Sequence, residues 1–406
     1  MKIVVVGTSN SVIGNKGYLV SLGVEHNIVQ LSQGRTNFYH HITTILNNRE
    51  MIEAADVLII DHYVNDVNFY YEKLEAEYSD ICEQFYQLLS ALNTHVVNIL
   101  FPIIDLKTRE SFEVYRVVNN LSKQYKINLL DLNTYKLNNS FFRDKIHINT
   151  ATSYALGIVL SSALNELVSM NDKPNDGVYE EPPFIVKRFQ DLVKENPLRF
   201  QNSLVDIEYI ELEKPVSISL DPSVQLLSIG FIKLQNSFDG MGVEINGIKY
   251  GLNGFRVAQE AFVNKHQGRV EIKPLLGTHS NVRNLMDRGA PISGSFGSCL
   301  LVNMLFIDRG IEAKINLANR SFNNIKLNKF VEVASKLNNG FEEDRGVSAM
   351  SKKSVDLIRD TAVSIENTNV RVAKELMQIA HLARPHGPFI KKKIKEYERI
   401  LKKGLS

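Results

Sequence analysis

The chain has no tryptophan, and its 406 residues include two cysteines, Cys82 and Cys299. Two cysteines make no disulfide framework. Neither stands beside a plausible base or at a metal-ligand spacing, which leaves thiol catalysis and a zinc module without residues. Net charge is nearly absent, since 47 Lys and Arg against 45 Asp and Glu leave +2, so nothing draws the chain generally to nucleic acid. No His/Asp/Glu cluster falls at ligand spacing, and neither a metal nor a bound cofactor is expected. Met1 leads straight into an apolar run with no signal-peptide pattern. The longest apolar runs read as too short to cross a bilayer. The expected location is the cytoplasm.

What is present is a large apolar content, 44% of the residues against 23% charged, enough for two or three domains with cores. In residues 1–172, strand and helix signals alternate. Residues 3–6, 26–31, 56–61, 96–101 and 127–132 read as five strands, and 38–54, 68–93, 108–125 and 149–169 as helices. Apolar runs without alternation, separated by amphipathic stretches, predict a parallel sheet covered on both faces, a three-layer α/β/α domain. The segments after its strands then share one edge, where such sheets place their ligands.

Those segments carry polar groups. Gly7-Thr8-Ser9-Asn10-Ser11 follows the first strand, Ser32-Gln33-Gly34-Arg35-Thr36 the second, and His62-Tyr63-Val64-Asn65-Asp66 the third; Asp144-Lys145-Ile146-His147 comes after the last. A serine, an imidazole to take its proton and an acid to orient that imidazole are the parts of an acyl-transfer site. Ser9, His147 and Asp144 supply them, with Asp105 and Asp131, also at strand ends, as other sources of the acid. His40 and His41 read as a solvated helix face, His62 as structural and Asp66 as a loop-holding residue.

With these residues in order, the first domain resembles the SGNH (GDSL-type) hydrolases. Ser9 stands at the family's nucleophile, Gly34 at the glycine of the second block, Asn65 at the asparagine of the third, and Asp144 and His147 at the Asp-x-x-His of the fourth. Thr8 replaces the usual aspartate and Tyr63 the usual glycine; neither is a catalytic group. The resemblance implies a Ser9–His147–Asp144 triad and an oxyanion hole formed by the Ser9 N–H, the Gly34 N–H and the Asn65 amide. An acyl-enzyme would be released by water or by a sugar hydroxyl.

Residues 171–183 read as a linker. Beyond it, strictly alternating runs such as 216–220, the Asn246-Gly247 hairpin pattern at 243–250, and runs at 269–272, 298–307 and 313–317 predict a β-sandwich, jelly-roll-like, over 184–333. Tyr250, Phe255 and Phe262 are its candidate sugar-stacking aromatics, with a core position as the preferred reading. Residues 334–406 read as a helical tail. The basic face at 391–395 can rest on anionic lipid, but Glu396 and Glu398 dilute it. A hairpin packed on the β-domain or on a second subunit is preferred, with homo-oligomerisation through these helices as an expectation. The function expected is an esterase removing acetyl groups from a carbohydrate. The alternatives are an O-acetyltransferase of polysaccharide synthesis, with acetyl-CoA as co-substrate, and a non-catalytic glycan-binding protein.

Overall fold

The structure is a computed structural model that describes residues 1–12, 17–69, 75–104, 109–170, 183–201, 206–233, 240–252, 256–284, 291–318, 320–338, 352–367, 369–384 and 387–403. The linker at 171–182 lies outside them. Strands β1 (Lys2–Val6), β2 (Asn27–Gln30), β3 (Val57–Ile60), β4 (His95–Leu100) and β5 (Asn128–Asp131) form a five-stranded sheet ordered β2-β1-β3-β4-β5. Every pairing in it is parallel. The β3 and β4 side chains are buried throughout, which is why VLII and HVVNIL show no alternation, while β2 at the edge is half-buried.

Around the sheet lie α1 (Tyr18–Leu22), α2 (Phe38–Asn47), α3 (Arg49–Glu53), α4 (Tyr63–Phe69), α5 (Glu75–Ala91), α6 (Arg109–Gln124) and α7 (Thr150–Met170). Two expected helices differ. The one over 38–54 breaks at Asn48, whose amide donates back to the Thr44 carbonyl at 2.8 Å and competes with the helix. The one over 68–93 is preceded by α4, so the third polar block is a helical turn and not a loop. The expectation about apolar runs also needs correction: α7 is long and apolar enough to cross a membrane, by length and composition. Here it is a core helix, buried on nearly all sides. Gly157 lets it lie against α1, since a Cβ there would run into the Tyr18 carbonyl and the Ser21 side chain.

The second unit contains β6 (Phe184–Arg188), α8 (Phe189–Val193), β7 (Leu198–Gln201), β8 (Asp206–Glu211), β9 (Val216–Ser219), β10 (Val224–Lys233), β11 (Gly240–Ile245), β12 (Ile248–Leu252), β13 (Arg256–His266), β14 (Arg269–Pro274), β15 (Gly277–Asn284), β16 (Pro291–Ser298) and β17 (Leu300–Asp308). The described strands make two six-stranded sheets, β13-β10-β17-β8-β7 with β6 on β17, and β12-β15-β16-β11-β14-β9. Ile229, Phe231 and Met304 of the first share a core with Val243, Tyr250 and Ile272 of the second, as a β-sandwich requires. Asn246 (φ 48°) and Gly247 (φ 81°) take the left-handed pair that a tight hairpin needs.

The strand expected at 313–317 is absent. That segment runs without strand structure back to the first domain, where Ile315 and Leu317 pack on its core and Asn324 pairs beside Leu129 of β5. Helices α9 (Phe330–Asn338), α10 (Lys352–Ile365), α11 (Val370–Ala383) and α12 (Pro388–Lys403) follow. Among the described residues they pack chiefly on the first domain and not as a separate module: α9 and α11 lie on α7, and Phe330, Leu337, Ala373 and Met377 join the first domain's core. A helix as apolar as α7 needs cover on more than one side, and the tail supplies it.

Candidate active site

The turn after β1 is held from the neighbouring strand. Asp61, at the end of β3, accepts the Thr8 N–H at 2.9 Å and the hydroxyls of Thr8 and Ser11; Ser11 also meets the Tyr18 hydroxyl at 2.7 Å. Burial pushes the Asp61 carboxyl up to about 6, against the hydrogen bonds from Ser11 and Thr8. Gly7 makes this possible, because a Cβ there would run into the Asp61 carboxylate and the Ser11 side chain. Ser9 opens the single 3-10 turn (Ser9–Ser11) that results and is half-buried.

The segment 142–148 closes over Ser9. Arg143 N–H donates to the His147 carbonyl at 2.9 Å, and Phe142 and Ile148 form a bridge. Asp144 accepts the N–H groups of Ile146 (3.0 Å) and His147 (2.9 Å), and both its oxygens lie within 2.8 Å of His147 Nδ1. Burial acts to raise the Asp144 carboxyl, but the Ile146 N–H and the His147 side chain outweigh it and hold it below its usual value. With Nδ1 donating to Asp144, Nε2 is left to accept from Ser9 Oγ, which lies 2.6 Å away. Asn10 brackets the histidine: its amide donates to the Ile146 carbonyl at 3.0 Å and its oxygen accepts from the Ile148 N–H at 3.3 Å.

The second and third blocks meet beside this line. The Gln33 N–H donates to the Gly7 carbonyl at 3.0 Å, which lays the Gly34 loop on the Ser9 turn. A Cβ on Gly34 would touch Ser9 Cβ at 3.9 Å. Asn65, in the first turn of α4, donates one amide hydrogen to the Thr36 carbonyl at 2.9 Å and is thereby tied to the Gly34 loop. An amide nitrogen has two hydrogens, so the second remains for another acceptor. Tyr63 is fully buried, its hydroxyl on the Phe101 carbonyl, and lines the core in place of the family's glycine.

Other candidates fall elsewhere. His41 is fully buried rather than solvated, with Nδ1 at 2.7 Å from the Asn37 carbonyl, and burial pushes His40 down to about 3 and His41 to about 4. His41 turns into the first domain, its ring 6.2 Å from that of His62, while His40 is half-buried on the side of α2 that faces the β-domain. His62, also fully buried, meets Asp66 at 2.6 Å, while Asp66 accepts the Phe38 N–H at the start of α2. Asp131 accepts from Tyr115 and Asn133, and Asp105 lies outside the described residues. Tyr250 is in the sandwich core, Phe255 is outside the described residues, and so is the Phe262 side chain. Sequence reasoning passed over Asp61 and Asn10. An acid closing a buried strand was a signal for the first; only adjacency to Ser9 pointed to the second.

No family model matches the chain, and no curated protein does. Among solved structures it is similar to the acetyl xylan esterase AlAXEase, at 18% identity over 40% of this chain and 99% of that one, with a TM-score of 0.33. A lipase/acylhydrolase from Enterococcus faecalis is similar at 18% identity over 43% of this chain and 99% of that one, with a TM-score of 0.33. An acetylxylan esterase from Geobacillus stearothermophilus is similar at 14% identity over 41% and 93%, with a TM-score of 0.32. The parallel β2-β1-β3-β4-β5 sheet between helices, with Ser9 just past the end of β1, makes the first domain SGNH-like in architecture.

Proposed function

We propose that this protein is a serine-dependent acyl-ester hydrolase that removes acetyl groups from a carbohydrate. The observation that carries it is the line from Ser9 Oγ through His147 to Asp144, with contacts of 2.6 Å and 2.7 Å. In this mechanism His147 Nε2 takes the Ser9 proton as Oγ attacks the acyl carbon, and the imidazolium that forms is stabilised by Asp144. The Ser9 and Gly34 N–H groups and the second Asn65 amide hydrogen receive the oxyanion, each such donor being worth about 3 kcal/mol. His147 returns the proton to the leaving alcohol. Water, activated by the same imidazole, then frees the acyl group.

Turnover of p-nitrophenyl acetate, butyrate and octanoate by the wild type beside Ser9→Ala tests the reading. Release that requires Ser9 and fades with chain length is expected, and Asp144→Asn should lower kcat by about ten-thousandfold. Equal rates in wild type and Ser9→Ala would sink the esterase. Release of CoA from acetyl-CoA that depends on a polysaccharide acceptor would replace hydrolysis by transfer.

A further inference from the structure

A cavity of about 600 Å3 lies where α2 meets the β-domain sheet that contains β10, β13 and β17, within the usual size of small-molecule sites. Gln33, His40 and Thr43 line it from the first domain, and Phe231, Glu260 and Asn303 from the second. It is joined to the Ser9 turn through Gln33, whose N–H is on Gly7 and whose neighbour Gly34 faces Ser9, where an added Cβ would come within 3.9 Å of Ser9 Cβ. Asn37, which caps α2, reaches across to the Glu260 carbonyl at 3.4 Å.

The lining offers hydrogen bonds without unbalanced charge. Glu260 is buried, with Ser228 donating to it at 2.9 Å; burial pushes its carboxyl up to about 8, so it is a donor as well as an acceptor at neutral pH. Asn303 is also buried, and its Oδ1 has no hydrogen-bond partner. Both side chains lie over Gly230, where a Cβ would collide with them, so the glycine keeps the polar floor open. At the rim, Arg188 is paired with Glu208 at 3.4 Å and Arg199 with Asp206. An anionic ligand would meet guanidinium groups already engaged, beside three carboxyl groups. A ligand rich in hydroxyls, each both donor and acceptor, matches this wall.

We propose that this interdomain cavity holds the sugar part of the substrate, a neutral oligosaccharide segment, with its acyl-bearing hydroxyl directed to Ser9. The proposal rests on the ester-cleaving reading of Ser9. It moves the sugar site from the aromatics of the sandwich to the junction of the domains.

The test uses full-length Ser9→Ala, which leaves esters intact, on an array of neutral and anionic oligosaccharides, with and without O-acetyl groups. Binding to neutral members is expected. It should weaken by about tenfold in Ser9→Ala/Asn303→Ala, the loss of one or two buried hydrogen bonds, and in Ser9→Ala/Asn47→Trp. Asn47 is an exposed residue at the mouth, so that change fills the entrance without disturbing the core. Binding to no neutral member, to anionic members alone, or binding undiminished in both variants overturns the proposal. Ser9-dependent turnover without glycan binding would remove the cavity proposal and keep the esterase. Pocket-dependent glycan binding without Ser9-dependent turnover would do the reverse.

Discussion

Asn10 and Asp61 act on the site without taking part in its chemistry. Asn10 grips the chain on both sides of His147, so Asn10→Ala should cost about two hydrogen bonds' worth of order in that loop. A kcat lowered about tenfold with little change in KM is expected from steady-state kinetics, since the loss concerns the imidazole's position and not the binding of substrate. Asp61 has a folded value of about 6 against 3.8 for an ordinary carboxyl. Between those values the folded state holds a proton that the unfolded state has released, so stability falls as pH rises through that window. The slope is about 1.4 kcal/mol per unit where the two states differ by a full proton. Asp61→Asn should flatten that part of the profile in urea unfolding at pH 4 to 6. A slope unchanged by the substitution would show that another group is responsible. Ser9, Asp144 and His147 could be singled out in the sequence because Asp144 and His147 are three apart and Ser9 lies in the turn just after a strand. Asp61 showed only as an acid closing a buried strand; its partners Thr8 and Ser11 are about fifty residues away, and nothing local names them.

At the scale of elements, α7 shows how composition can mislead and tertiary contact decide. Its apolar residues are not confined to one stripe, and the helix lies between α1 and the tail. Gly157 sets the approach to α1. Gly157→Ala should force the helices apart and lower stability by about 1–3 kcal/mol, read as a fall in melting temperature with the fold otherwise kept. The same reasoning explains residues 313–317. Their alternation suits a strand, but their apolar side chains cover the first domain. His40 and His41 differ from the solvated expectation for two reasons: His41 turns into the first domain against His62, and the cover over the His40 side of α2 comes from β13, more than two hundred residues later.

At the scale of the molecule, the first domain and the tail are one folding unit, with core residues from Ile3 to Tyr397 in a single cluster. Lys374 of α11 meets Glu25 at 2.6 Å across that boundary. A chain ending before Phe330 should therefore expose the apolar face of α7 and aggregate. Soluble, cooperatively unfolding material from that truncation, measured by circular dichroism, would show that the first domain stands alone. The β-domain covers one end of α2 and closes the cavity beside Gly34. Both flanking units thus bear on the site, one through the core that supports it and the other through the space beside it.

Local sequence determined the five parallel strands, the sandwich hairpin and the Asp144–His147 pairing, because strand runs, turn residues and closely spaced side chains act over a few residues. Tertiary structure decided what covers α7 and α2, which acid anchors the nucleophile turn, and where a cavity opens next to it. These depend on surfaces meeting from distant parts of the chain, and hydrophobic burial, being non-directional, sets no partner in advance.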